Sequence, residues 1–379
     1  MSDILLVLFP IIIFTILFAG AKVRRTEESS GEAWSLGQAK AMQVFAALMV
    51  ILHHMVQRIT NYGAIDKGPV TAWNSFGILC TSVFFFFSGF GLFKSYKTKE
   101  NYLEGMLRKR LPKILIPFFV TNIIYLIFVS KGKVSNALDI VTSLVGFTLL
   151  NSNAWFIVEL TVLYTLFYLC FRKAGSDCKA ICWLTIFTTI LVIAALLLGH
   201  DTTKIRGHWF MGEWWYNTTL IFIMGILFAK YESRVKTFMV RRWKVLLPLS
   251  LLIFVGWFIL QEYVEAGFGY YKEWPGHPGY PEKLLTLIVQ LILCMIFMFI
   301  MLLVNLKLEY GNPVLRFLGS FTYEIYLIHD VYRWNLPGGP EGTMSDVLYL
   351  GLTYAFTIIS AYILAKILSI ITLRNRKAD

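Results

Sequence analysis

Two adjacent histidines, His53 and His54, lie at the end of an apolar stretch of helix length that runs from Lys40 to Met55. An imidazole is costly to place in hydrocarbon, so a histidine inside such a stretch is a candidate functional residue. Gln43 precedes His54 by 11 residues. That is three helical turns, so the two side chains share a helix face about 16 Å apart along the axis, and His53 points about 100° away. These residues predict either proton-transfer chemistry or a hydrogen-bonded structural pair inside a helix bundle.

A second apolar stretch, Gly319 to Trp334, repeats this arrangement with His329 and Asp330 near its end. If both helices run in the same direction, His329 and Asp330 reach a depth similar to that of His54. A carboxylate can orient an imidazole for general-base catalysis, but an aspartate near a helix end can also be an ordinary boundary residue. Both interpretations of Asp330 follow from its position.

A third stretch, 154–171, places Glu159 one helical turn below Trp155 on the same helix face. Glu159 is therefore predicted to reach the depth of the two histidine-bearing stretches. Trp155 is either part of the same site or an interfacial anchor.

A dense basic cluster stands at the start of a further apolar stretch and consists of Arg108, Lys109, Arg110 and Lys113. Such groups hold the phosphates of anionic ligands through charge-assisted hydrogen bonds. They equally serve as topology determinants that contact anionic lipid. The residue types alone favour neither interpretation.

The elements that must position these residues are membrane-spanning helices. Of the 379 residues, 57% are hydrophobic and only 15% are charged, whereas soluble domains are about a quarter charged. Apolar stretches of about 17–25 residues, the length that crosses a bilayer core, recur along the chain. The composition predicts an all-α polytopic membrane protein.

The net charge of +12 comes from short Lys and Arg clusters between the apolar stretches. This distribution predicts topology signals and argues against nucleic-acid binding. The five cysteines have no metal-like spacing, so neither a metal site nor disulfides are expected.

Eleven spans are predicted, at about residues 4–21, 40–58, 74–94, 111–130, 154–171, 180–199, 214–230, 244–262, 284–304, 318–335 and 345–371. Segment 136–150 is too short for a span and is predicted at the outer interface or as a re-entrant piece. Of the 35 Lys and Arg residues, 25 fall in one set of alternate loops and 9 in the other. The positive-inside rule then predicts an N-terminus outside, a C-terminus in the cytoplasm and histidines in the outer half of the membrane.

Six stretches together resemble the integral-membrane acyltransferase family 3, whose bacterial members O-acylate sugars of surface polysaccharides and related acceptors. In chain order they are KAMQVFAALMVILHHM, VFFFFSGFGLFKSY, LRKRLPKILIPFF, NAWFIVEL, WYNTTLIFIMGILF and LGSFTYEIYLIHD. The resemblance covers about residues 35–371 and ten spans. Residues 1–34 are then an additional N-terminal transmembrane helix with a cytoplasmic linker, and residues 372–379 are a basic cytoplasmic tail.

The resemblance implies an acyl-CoA donor, usually acetyl-CoA, approached from the cytoplasm, and an acceptor hydroxyl at or beyond the outer face. It maps the family's essential histidine onto His54 and its late histidine onto His329. Where the family has a basic residue eleven positions before the essential histidine, this chain has Gln43. Either Lys40, about one helical turn away, supplies the missing charge, or the role differs here.

Three groups of site residues are expected on this basis. The expected catalytic residues are His54 as general base, His329, His53, Glu159 and Gln43. The expected donor-binding residues are Arg108, Lys109, Arg110, Lys113 and Lys40. The expected acceptor-binding residues are Asn153, Trp155, Asp330 and Tyr323. Glu159 or Asp330 would orient His54, and Gln43 or Trp155 would stabilise the thioester oxyanion.

The alternative function is a transporter or flippase of a glycolipid or polysaccharide precursor, since buried polar residues also line transport paths. The sequence has no visible internal inverted repeat, which favours the enzyme. The expected partners are the acyl-CoA donor, a glycan or glycolipid acceptor and membrane lipids. The expected location is the bacterial cytoplasmic membrane.

Overall fold

The apolar stretches of the sequence form helices throughout the part of the chain that the computed structural model describes, which is residues 2–24, 33–130, 134, 136–198, 218–268 and 278–376. The helices are α1 (Ser2–Leu6), α2 (Leu8–Phe18), α3 (Leu36–Ile59), α4 (Gly77–Thr98), α5 (Met106–Phe128), α6 (Ala137–Leu144), α7 (Trp155–Lys173), α8 (Asp177–Leu198), α9 (Ile221–Lys230), α10 (Glu232–Phe268), α11 (Tyr280–Lys307), α12 (Pro313–Leu318), α13 (Thr322–Asn335) and α14 (Asp346–Arg376). Two 3₁₀ segments, Gly68–Ser75 and Ser152–Ala154, precede α4 and α7.

Eight of these helices are long and apolar enough to cross a membrane, namely α3, α4, α5, α7, α8, α10, α11 and α14. Shorter apolar helices occupy Ile4–Phe18 and Ile221–Lys230. The predicted all-α polytopic membrane fold is confirmed, while the count of eleven spans and their orientation stay predictions. The parts of those predictions that concern residues 1, 25–32, 131–133, 135, 199–217, 269–277 and 377–379 lie outside the described residues.

The helix α3 lies at the centre of the bundle. Its apolar window is 83% buried, whereas that of α10 is 6% buried. Helices α2, α4, α13 and α14 all pack against α3. The histidines at the end of α3 therefore lie among helices, and α10 presents its apolar side chains to the surroundings of the bundle.

Two glycines allow α4 and α9 to cross in close contact. A Cβ at Gly89 would collide with the Phe222 carbonyl, and a Cβ at Gly225 would collide with the Phe86 carbonyl. Small residues at such crossings let helix backbones approach within a membrane. Gly89 and Gly225 belong to two of the six stretches quoted above. These two positions of the family-like stretches therefore serve helix packing.

Two predicted spans differ in extent from the helices that contain them. The span predicted to begin near residue 244 is part of α10, which begins at Glu232 with its acidic side chain in the first turn, where it complements the helix dipole. Of the span predicted at 318–335, only Leu318 lies in α12, and residues 322–335 form α13. Asn312 Oδ1 caps the start of α12 by accepting from the Leu315 N–H at 2.9 Å. A turn at residues 319–321 follows α12, so the helix that carries His329 begins at Thr322.

The N-terminal segment is fastened to the chain that follows α11. Residues Lys22–Val23 (β1) pair antiparallel with Leu308–Glu309 (β2). The Asn312 side-chain amide donates to the carbonyl oxygens of Ile16 and Ala19 at 2.7 and 3.0 Å. These bonds satisfy carbonyl groups at the end of α2 that have no partner within the helix.

Candidate active site

Three imidazoles meet where the end of α3 faces α13. The rings of His54 and His329 are stacked, with centroids 5.3 Å apart and planes 17° from parallel. The His53 ring lies beside that of His54, with centroids 4.7 Å apart. His329 is buried and His54 is partly exposed. The fold thus brings together the histidines that the sequence places at similar depth.

Hydrogen bonds indicate which ring nitrogen of each histidine carries the proton. His54 Nδ1 lies 3.1 Å from Gln57 Oε1, and His329 Nδ1 lies 2.7 Å from the Tyr326 carbonyl oxygen. Both oxygens only accept, so each Nδ1 donates, and Nε2 of each neutral ring carries the free lone pair. His329 Nε2 is buried with no hydrogen-bond partner among the described residues. Each stacked imidazole therefore has one nitrogen able to take a proton.

His53 is fixed against the start of α4. Its Nδ1 donates to the Trp73 carbonyl oxygen at 3.2 Å. Its ring packs on Gly77, where an added Cβ would collide with Nε2. The missing side chain at Gly77 makes room for the ring, and the ring in turn supports that of His54.

Glu159 is fully buried on α7. Thr219 Oγ1 donates to Glu159 Oε2 at 2.7 Å, and Oε1 has no partner among the described residues. Within that part of the chain, no hydrogen bond joins Glu159 to His54 or His329. The carboxylate links α7 to the segment before α9, and its predicted catalytic role stays a prediction.

Asp330 is engaged by two neighbours on α13. Its Oδ1 accepts from Arg333 Nη1 at 3.2 Å and its Oδ2 accepts from Trp334 Nε1 at 3.0 Å. Arg333 also donates to the Tyr62 hydroxyl at 3.1 Å. The Asp330 and Arg333 side chains are 2% and 4% exposed. Each buried charge is therefore neutralised by the opposite charge of its partner. A contact of Asp330 with an acceptor stays a prediction.

Asn153 and Trp155 lie at the start of α7. The Asn153 carbonyl oxygen accepts from the Tyr326 hydroxyl at 2.5 Å, and its side-chain nitrogen is buried with no partner in the described chain. The Trp155 ring packs against Phe85 and Phe156, each with centroids 6.2 Å away. Asn153 is thus joined through Tyr326 to the neighbourhood of His329, whereas Trp155 packs among phenylalanines, and a role of either residue in acceptor binding stays a prediction.

A cavity of about 590 Å³, here named the basic cavity, lies at the opposite end, between the end of α4 and the start of α5. Its lining includes Lys109, Arg110, Lys113, Ser95 and Tyr102. Arg110 donates from Nε to the Tyr102 hydroxyl at 3.1 Å and from Nη2 to Ser95 Oγ at 3.4 Å. Arg108 is exposed and lies outside the lining. Glu100 and Glu104 also line the cavity, together with Lys99, so its charged lining has four cations and two carboxylates. Three of the four clustered cations therefore face one space with an excess of positive charge, which suits phosphate groups.

A second cavity of about 340 Å³, the inner cavity, adjoins the basic cavity. Gln43, Ser88 and Lys113 line both. Lys40 also lines the inner cavity, one helical turn before Gln43. The predicted pair Gln43 and Lys40 therefore faces the same space as Lys113.

The inner cavity ends at three aromatic rings on three helices, Phe84, Phe156 and Tyr326, here named the aromatic triangle. Their centroids are 5.7–5.9 Å apart in every pair. The Tyr326 ring lies 6.0 Å from that of His329. Tyr323, predicted to bind the acceptor, lines the inner cavity one turn before Tyr326. The two cavities and the aromatic triangle thus lead from the basic cluster to the imidazoles.

Sequence reasoning missed several residues of this arrangement. Gln57 follows His54 by three residues, so helical spacing alone was a signal for their contact. Phe84, Ser88 and Tyr326 lie within the quoted stretches, but such residue types are common in membrane helices and carry no chemical signal. In the described part of the chain, no group of three or more His, Cys, Asp or Glu side chains is arranged so that it could hold a metal ion.

The fold and these residues define a multi-pass helical membrane protein with imidazoles at one end of its bundle and a cationic cavity at the other. The chain matches the family model described as an acyltransferase domain over residues 38–369. It belongs to acyltransferase family 3, which confirms the resemblance and shows an enzyme that transfers acyl groups. Comparisons with curated proteins and with solved structures found no match.

Proposed function

We propose that this enzyme moves an acetyl group from cytoplasmic acetyl-CoA to a hydroxyl of a glycan or glycolipid on the outer side of a bacterial cytoplasmic membrane. The observation that carries this proposal is the series of two adjoining cavities that extends from Lys109, Arg110 and Lys113 to the aromatic triangle, whose Tyr326 ring lies 6.0 Å from that of His329. Such a path suits a carrier whose phosphates stay at the basic end while its thioester reaches the histidines.

The donor would be held at the basic cavity. Guanidinium and ammonium groups bind phosphates strongly, and the bonds of Arg110 to Tyr102 and Ser95 hold its planar head in place. Gln43 and Lys40 line the inner cavity, about 16 Å along α3 from His54 for Gln43. This position fits a contact with the arm of the donor better than with an oxyanion beside His54.

The reaction would take place at His54. A sugar hydroxyl is a poor nucleophile at neutral pH, and His54 Nε2 would accept its proton as the oxygen attacks the thioester carbonyl. The new ester C–O bond forms, the C–S bond breaks, and the imidazolium returns its proton to the thiolate of CoA. Gln57 would keep His54 Nδ1 protonated, so that Nε2 stays the basic atom. His329 Nε2, stacked beside it, is the second group able to hold a proton.

The direct test uses purified protein in liposomes, acetyl-CoA labelled on the acetyl group, and a panel of glycan and glycolipid acceptors on the other face. We expect label to appear in one acceptor class, with release of one CoA for each acetyl group transferred. Absence of transfer to every acceptor, together with movement of a labelled glycolipid across the same vesicles, would establish a transporter instead.

A further inference from the structure

The aromatic triangle lies between the inner cavity and the ring of His329. On each of the three helices, the aromatic residue follows the same order relative to a residue that lines the cavity. On α4, Phe84 lies one turn from Ser88; on α7, Phe156 lies one turn from Leu160; and on α13, Tyr326 lies one turn from Tyr323. Ser88, Leu160 and Tyr323 all line the inner cavity. In each pair the aromatic residue is the one nearer the histidine end, so the three rings form a layer across the path.

This layer is closed in the structure. Ring centroids 5.7–5.9 Å apart are at contact distance for aromatic pairs. Phe156 and Tyr326 are 5% and 4% exposed. The Tyr326 hydroxyl is also fixed by its bond to the Asn153 carbonyl oxygen. Phe84 is half-buried, and its ring is placed by packing alone, so it is the member most easily displaced.

We infer, on the basis of the proposed function, that the aromatic triangle sets the size of the acyl group that the enzyme transfers. The phosphates and most of the arm of the donor stay in the basic and inner cavities, and only the end that carries the thioester must reach the imidazoles. A short acyl group needs a small displacement of Phe84. A longer one must also displace Phe156 or Tyr326, which are packed and, for Tyr326, hydrogen-bonded.

The measured quantity is the ratio of kcat/KM for butyryl transfer to kcat/KM for acetyl transfer. In the wild-type protein we expect transfer of acetyl to exceed transfer of butyryl from the corresponding CoA thioesters. Phe84→Ala and the milder Phe84→Leu remove ring atoms from the layer and should raise the butyryl-to-acetyl ratio of kcat/KM by about tenfold or more, since a pocket discriminates roughly 10–200-fold per methylene. Phe84→Trp should lower the ratio.

The matched control is Phe297→Ala. Phe297 is buried and packs against Phe76 and Phe254, away from both cavities. Its loss should leave the ratio unchanged even if it lowers the melting temperature of the protein. Equal ratios in wild type, Phe84→Leu and Phe84→Ala, all active, would overturn the inference and leave the proposed function standing. A wild-type protein that transfers no acyl group from any thioester would refute the proposed function itself.

Discussion

At the scale of single residues, the site consists of two stacked imidazoles whose Nδ1 atoms are both engaged. Gln57 engages His54, and the Tyr326 carbonyl engages His329. The meeting of the two histidines could be predicted, because helical spacing and apolar context place both near the ends of spans that run in the same direction. The partners of Glu159 and Asp330 could not, since Thr219 reaches Glu159 from the segment before α9 and the rotamer of Arg333 decides the pairing of Asp330.

The orienting role of Gln57 can be tested by Gln57→Leu. The leucine cannot accept a hydrogen bond, so His54 loses the contact that keeps its proton on Nδ1. We expect kcat for acetyl transfer to fall about a hundredfold, the lower end of what a positioned general base contributes, with KM for acetyl-CoA unchanged. Gln57→Glu, which still accepts, should retain much of the rate. Wild-type kcat in Gln57→Leu would show that Gln57 has no such role.

At the scale of elements, the site depends on how closely helices approach one another. Gly77 admits the His53 ring, and Gly89 and Gly225 bring α4 against α9. The helices themselves could be predicted from apolar length. The break between α12 and α13, and the extension of α10 back to Glu232, could not, because short turns and the exact ends of helices lie below the resolution of a hydropathy pattern.

The crossing of α4 and α9 predicts a clear difference between two Gly→Ala substitutions. Gly225→Ala forces a methyl group against the Phe86 carbonyl and should lower the free energy of unfolding by about 1–3 kcal/mol through overpacking. At Gly351 on α14 an added Cβ meets no atom within 4 Å, so Gly351→Ala should be neutral. Thermal unfolding in detergent, followed by tryptophan fluorescence, measures both. Equal melting temperatures of the two variants would mean that the helices are not in contact at Gly225.

At the scale of the whole molecule, the cationic side chains of the basic cavity and the imidazoles lie at opposite ends of the helix bundle. The basic cavity lies beside the start of α5, and the imidazoles lie at the end of α3, with the inner cavity and the aromatic triangle between them. Composition and the order of the quoted stretches were enough to predict the fold class and the family. The two cavities and the aromatic triangle that closes them towards the imidazoles could not be predicted, since they result from the packing of α3, α4, α5, α7 and α13 around a shared space.

The most direct test of this separation is the initial rate of labelled acetyl transfer as a function of acetyl-CoA concentration, measured for wild type, His54→Ala and the double variant Arg110→Gln/Lys113→Gln. We predict that His54→Ala binds acetyl-CoA with wild-type affinity and loses transfer by about a hundredfold or more. The double variant should keep a wild-type kcat and raise KM by about tenfold or more, because charge-assisted hydrogen bonds to phosphate are lost. Wild-type turnover by His54→Ala, or an unchanged KM in the double variant, would contradict the account.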